Sequence, residues 1–286
     1  MVVKKTTKNT NKKPIGNTGS NGSRTKRSRK PVHKKPRRKA PVYRRFSKRT
    51  WAILIIAVVV ILLSIVIGSK VHRYYSIPQS QGSYSIKGVD VSAYQGDIDW
   101  DMLYRQNIAF AYIKASEGSR HVDKKFAINW KNVRKTNIRA GAYHFMSMET
   151  AGKEQAKNFL AQLTRRRGML PPVIDVEFYG KFSSVHPDVS TVHSILTPLL
   201  QEVKKECGMD PILYTSKYIY KRYISGYYDN RIWIADEGVS QTLPDGRQWT
   251  FCQYSFSGRL KGYTGGVKSI DLDVYNGDRN SFFRFR

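Results

Sequence analysis

The chain has 286 residues, of which 50 are Lys or Arg, 21 are Asp or Glu and 2 are Cys. A hydrophobic share of 40% excludes wholesale disorder and suffices for one or two cored domains, while two cysteines exclude a disulfide scaffold and a four-cysteine zinc module. The net charge of +29 is uneven: residues 1–50 hold 19 basic residues and no acidic one, the remainder nets only +10, and the high pI describes a tail rather than a nucleic-acid footprint of the folded part.

Residues 1–50 contain almost no large apolar side chains, so they are expected to be a disordered, cytoplasmic basic tail. The basic run 24–39 has a composition that suits anionic lipid or nucleic acid. It lacks an aromatic stacking residue, which favours an orientation signal instead. Residues 51–68, WAILIIAVVVILLSIVIG, are uncharged, with Ser64 the one clearly polar side chain. As a helix they span about 27 Å, enough for a bilayer core. Trp51 stands at an interfacial position. Eight Lys or Arg lie between Lys35 and Arg49; after the span, through Lys87, there are only Lys70, Arg73 and Lys87. The expectation is a single-pass signal anchor through the lipid bilayer, with the C-terminal part extracytoplasmic. A cleaved signal peptide fits less well, because the basic region is too long and no small-x-small cleavage site follows.

Residues 69–85 read as a polar linker, and 86–286 as one catalytic domain. Short apolar runs at 87–92, 110–115, 139–145, 172–177, 211–215, 231–235, 250–254 and 269–274 predict eight strands. Apolar residues at Val192, Ile195, Leu196, Leu199, Leu200 and Val203 predict a helix over 190–206, and Ala156, Phe159, Leu160 and Leu163 a helix over 151–166. Strands alternating with helices imply an α/β fold with a parallel sheet: a small, partly irregular (β/α) TIM-like barrel, preceded by one transmembrane helix and the disordered tail.

In such a barrel the working groups gather at the C-terminal ends of the strands. Those ends offer Asp90 from the first strand, Asp175 and Glu177 from the fourth, and Asp271 from the eighth. Alternation puts Asp175 and Glu177 on one face. Two close carboxylates in a partly dry site push one pKa up, giving the protonated and ionised pair that glycoside cleavage uses. A surface acidic pair and a hard-cation site remain alternatives on spacing alone. No histidine set accompanies these acids, so neither a transition metal nor a cofactor is expected.

The ordered segments KGVDVSAYQGDIDW (87–100), FAYIKASEG (110–118), AGAYHF (140–145), PVIDVE (172–177), YTS (214–216), IWIA (232–235), CQYSFSG (252–258) and SIDLDVYNG (269–277) together resemble glycoside hydrolase family 25, the Chalaropsis-type lysozymes. The resemblance implies cleavage of the β-1,4 bond between N-acetylmuramic acid and N-acetylglucosamine in peptidoglycan glycan strands. It implies Glu177 as general acid/base and Asp175 as the carboxylate assisting at the anomeric centre, by steering a 2-acetamido group. It implies Asp90 and Asp271 as the other site acids, and Tyr94, Tyr143, Tyr214, Trp233 and Gln253 as cleft residues, with barrel core the alternative for the aromatics. His144 reads equally as a structural histidine or a substrate contact, and Glu117 as a supporting residue. Asp273 stands where the family often has Asn, adding negative charge near Asp271. Cys207 and Cys252 both fall on the exported side, where a disulfide is chemically permitted. The leading reading is a membrane-anchored muramidase. The alternatives are a catalytically silent glycan-binding wall anchor, an adaptor working through its basic tail, and a lytic transglycosylase, which needs only one acid.

Overall fold

The computed structural model describes residues 47–75, 84–164 and 168–286. Residues 1–46 of the expected tail and 76–83 of the expected linker lie outside them. Helix α1 (Lys48–Tyr75) holds the apolar stretch, and over Lys48–Ile67 none of it is buried. A helix apolar all round, with no polar face, suits lipid better than water. The Ser64 hydroxyl donates to the Val60 carbonyl at 2.8 Å, so the helix satisfies its own polar group. The helix continues past residue 68, so residues 69–75 are helical rather than linker.

The second body is the barrel. Its strands are β1 (Lys87–Val91), β2 (Ile108–Glu117), β3 (His121–Val122), β4 (Arg139–Phe145), β5 (Val173–Val176), β6 (Ile212–Ser216), β7 (Ile232–Ala235), β8 (Phe251–Gly258) and β9 (Ile270–Tyr275). Eight of them close in the order β1-β9-β8-β7-β6-β5-β4-β2, with β1 pairing back onto β2; β3 is a short antiparallel addition to β2. All eight expected strands are present. The parallel sheet needs one correction: β9 runs antiparallel to both β8 and β1. No helix lies between β8 and β9, and a parallel pairing would need such a crossover.

Outside the barrel pack α2 (Trp100–Arg105), α3 (Phe126–Asn132), α4 (Gly152–Gln162) and α5 (Val189–Cys207), with a short α6 (Lys217–Ile219) after β6. The six apolar positions expected to face inward on α5 are all buried. Each such side chain contributes roughly 1.5–3 kcal/mol by leaving water. Strand residues that point outward, such as Val89, Ile113, Ile174, Val176 and Val274, join them in one cluster.

Inward residues build a second cluster of aromatics. Tyr112 stacks on Trp233 at 4.9 Å, and Phe110 meets Phe251 at 4.9 Å. The strands make room with glycine: a Cβ on Gly88 would sit 2.3 Å from Phe110, and one on Gly141 2.2 Å from Tyr112. The C-terminal helix α7 (Arg279–Arg284) seals one end, where Phe282 and Phe285 pack on Phe110, Phe251 and Tyr275. The other end stays open.

Candidate active site

Alternation along β5 sends Ile174 and Val176 outward to the helices and Asp175 inward, and Glu177 follows on the same face. On β1, Val89 and Val91 face out and Asp90 faces in. Asp271 reaches the same mouth by the opposite route. It is near the start of β9, and because β9 runs antiparallel its beginning lies beside the end of β1, where Asp271 pairs with Asp90. The expectation that Asp271 sits at a C-terminal strand end is therefore corrected in direction, while its place at the mouth stands.

These acids line an open cavity of 260 Å³. Asp90, Asp175, Glu177, Asp271, Tyr94, Tyr143, Tyr214, Trp233 and Gln253, the expected site acids and cleft residues, border it, whereas His144, Glu117 and Asp273 do not. Lys114, Phe145, Phe256, Ser92 and Gln95 complete the wall and were not singled out. Tyr94, 71% exposed, and Phe256, 47% exposed, give the rim flat aromatic surface.

A hydrogen-bond chain fixes the floor. Tyr214 donates to Gln253 Oε1 at 2.5 Å, and Gln253 Nε2 donates to Asp90 Oδ2 at 2.7 Å. Trp233 Nε1 donates to Asp273 Oδ1 at 2.9 Å. Asp273 is fully buried beneath the mouth, and its Oδ2 has no hydrogen-bond partner among the described residues. Burial first, then the charges of Asp90 and Asp271, hold Asp273 well above the carboxylate range, and burial followed by the Asp271 charge holds Asp90 well above it too.

The acids that line the mouth are also perturbed. Burial raises Asp175, and the neighbouring Glu177 charge adds to it. Burial raises Glu177, reinforced by Asp271. Asp271 is pushed by burial to about 6. Lys114, the one cation among the described residues of the cavity wall, opposes this by lowering both Asp175 and Glu177. Its ammonium bonds Glu117 at 2.7 Å and lies 4.8 Å from the centre of the Phe145 ring. Glu117 thus supports the site from behind. The alternation Phe110, Tyr112, Lys114 on β2 carried the signal for Lys114. A bulge between Lys114 and Ser116 then re-aims the strand, turning Ser116 out toward His144.

Asp175 Oδ1 is buried and accepts no hydrogen bond. It is poised to receive a donor brought by a ligand. Both carboxyls are raised, Asp175 well above its ordinary range, and so close a pair can share one proton for a leaving oxygen and one charge to stabilise developing positive charge.

His144 is structural. It is fully buried, its Nδ1 pairs with Ser116 at 2.8 Å and its Nε2 with Gln155 at 3.1 Å, and burial lowers it to about 4. Cys207 and Cys252 form no disulfide. Cys252 is buried on the helix side of β8, where its thiol donates to the Asp236 carbonyl and burial pushes its pKa up.

The family model for glycosyl hydrolases family 25 matches residues 89–263. A solved family 25 glycosyl hydrolase from Bacillus anthracis is 44% identical, covers 71% of this chain and 94% of its own, and superposes with a TM-score of 0.68. Lysozyme M1 of Streptomyces globisporus is 31% identical over 67% of this chain and 68% of its own length. The bacterial lysozyme structure from Streptomyces coelicolor is 29% identical, covers 70% of this chain and 95% of that one, with a TM-score of 0.61.

Proposed function

The chain belongs to glycosyl hydrolases family 25 and is a glycoside hydrolase of the lysozyme class, and from that premise we propose that it is a membrane-anchored muramidase acting on the wall side of the bilayer. It cleaves the β-1,4 bond between N-acetylmuramic acid and N-acetylglucosamine. The observation that carries this is the pair at the end of β5: Glu177 held toward its protonated form, beside Asp175 with an unpartnered buried oxygen.

Glu177 donates its proton to the leaving glycosidic oxygen, then takes one from water. Asp175 Oδ1 accepts the amide N–H of the substrate's 2-acetamido group, which orients that group's carbonyl oxygen toward the anomeric carbon. Asp90, fixed by Gln253 and held well above its ordinary range by burial, and Asp271 complete the acid cluster around the reacting centre. Tyr94 and Phe256 offer ring faces to neighbouring sugars.

Lys114 sets the working pH. Its charge lowers both Asp175 and Glu177. In a Lys114→Met variant both carboxyls therefore rise. Activity is lost on the acid side when the coupled pair takes up its second proton and on the alkaline side when it gives up its last, so both limbs move up. A rate-against-pH profile is expected to shift as a whole toward higher pH. An unmoved profile contradicts the assigned roles.

The division is a basic cytoplasmic tail (1–50), an anchor (51–68 within α1), a linker and the catalytic domain (86–286). Its support is the exposed apolar helix and the excess of basic residues before it. The full chain, produced in a bacterial host with an epitope before residue 1, tests this. Carbonate washing should leave it in the membrane, and protease added to spheroplasts should remove the barrel but spare the epitope. A shortened chain in the soluble fraction would instead mean a cleaved signal.

A further inference from the structure

The sealed end of the barrel carries a second depression, of 720 Å³, between the start of β4 and α7. Arg134, Arg139 and Arg286 line it, and among the described residues no carboxylate side chain does. Among the described residues no ion pair joins these three, or the nearby Arg279, to an acidic side chain. Arg139 is engaged in structure, donating to the carbonyls of Phe282 and, at 2.7 Å, Phe285. Burial lowers its pKa. Arg134, Arg279 and Arg286 are exposed. Phe283 stands on the same rim, 61% exposed, with the Arg279 guanidinium 5.6 Å from its ring centre.

Chain order adds a second observation. β1 begins at this sealed end, where Ile86 packs in the cluster of Phe282 and Phe285. The polypeptide that follows the apolar segment 51–68 therefore joins the barrel at the basic face, and the acidic mouth lies at the opposite end. Exposed arginines around an exposed aromatic are the composition of a membrane interface.

The geometry points to a lipid-docking face: the sealed end binds anionic phospholipid headgroups, with Arg134, Arg279 and Arg286 meeting phosphates and Phe283 entering the interfacial layer. Basic base and acidic mouth give the domain a charge asymmetry that turns the mouth away from an anionic bilayer and toward the wall. The inference rests on the anchored reading above, but its test does not depend on catalysis.

The barrel alone, residues 84–286, is the right reagent, because the Bacillus anthracis structure, 94% of which aligns, is essentially this barrel as a chain of its own. Co-sedimentation with vesicles of phosphatidylcholine, with and without phosphatidylglycerol, gives the partition coefficient. Binding is expected only with phosphatidylglycerol present, and to fade as salt rises. An Arg134→Gln, Arg286→Gln double variant should partition roughly twentyfold less, and Phe283→Ser several-fold less, with the thermal midpoint and any wall-cleaving rate unchanged. Equal binding to both vesicles, or variants that bind like the parent, would overturn the proposal. Binding to walls bearing phosphate polymers but not to vesicles would also overturn it, and would assign the face to the wall polymer.

Discussion

Glu177→Gln is expected to lower kcat on peptidoglycan by about a thousandfold, the scale of losing a positioned general acid. The amide keeps the size of the side chain but has no proton to give the leaving oxygen. The fold should not suffer. Burial and the Asp271 charge raise Glu177 in the native state, so its ionised form is disfavoured by folding. A group whose pKa is raised by folding adds stability at low pH and loses that contribution as pH rises through the raised value. Neutral Gln removes this penalty, and the thermal midpoint at neutral pH should stay level or rise. Release of reducing ends and a melting curve read both quantities. A variant with near-parental kcat would move the acid role to Asp271, the other carboxyl held high in the cavity.

Gly152→Ala is expected to cost about 2–4 kcal/mol of stability, or roughly 6–12 °C in thermal midpoint for a domain of this size. Gly152 opens α4 where it crosses α5, and a Cβ there would lie 1.9 Å from the Ile195 carbonyl oxygen and 3.0 Å from the Leu199 nitrogen. Both neighbours are helix backbone and cannot rotate away, so α4 must move. The displacement reaches the site through Gln155 of α4. Its amide accepts from the Ser147 N–H at 2.8 Å and donates to the Ser147 carbonyl at 2.7 Å, just past the end of β4. There Met146 donates its N–H to the Asp175 carbonyl at 2.9 Å. Activity should therefore fall along with stability. A midpoint within a degree of the parent would contradict the close approach.

The strands were legible because burial on both faces writes itself as short apolar runs, such as the residues around Ile174 and Ile234. The carboxylates were legible because a charged residue inside such a run has to face a cavity. Direction was not. Nothing in the run around Leu272 says which way β9 points; that follows from the helix-free connection to β8. Lys114 escaped notice because a lysine in a strand is ordinarily read as solvent-facing, and only closure of the barrel shows that alternation with Phe110 and Tyr112 turns it inward. The nearness of Asp273 to the other acids was equally hidden, since it depends on strand register: Asp273 sits opposite Gly88 and Asp271 opposite Asp90. The disulfide permitted by compartment fails because Cys252 is packed under Asp236, on the helix side of the sheet.

The most direct test of the account is the chemistry of the chain ends. Purified peptidoglycan is digested with residues 84–286, beside Glu177→Gln, then reduced with borohydride and analysed by mass spectrometry. Reduced muramic-acid ends, absent with the variant, are the predicted result. Reduced glucosamine ends, anhydro ends, or wall binding without any new ends would contradict it.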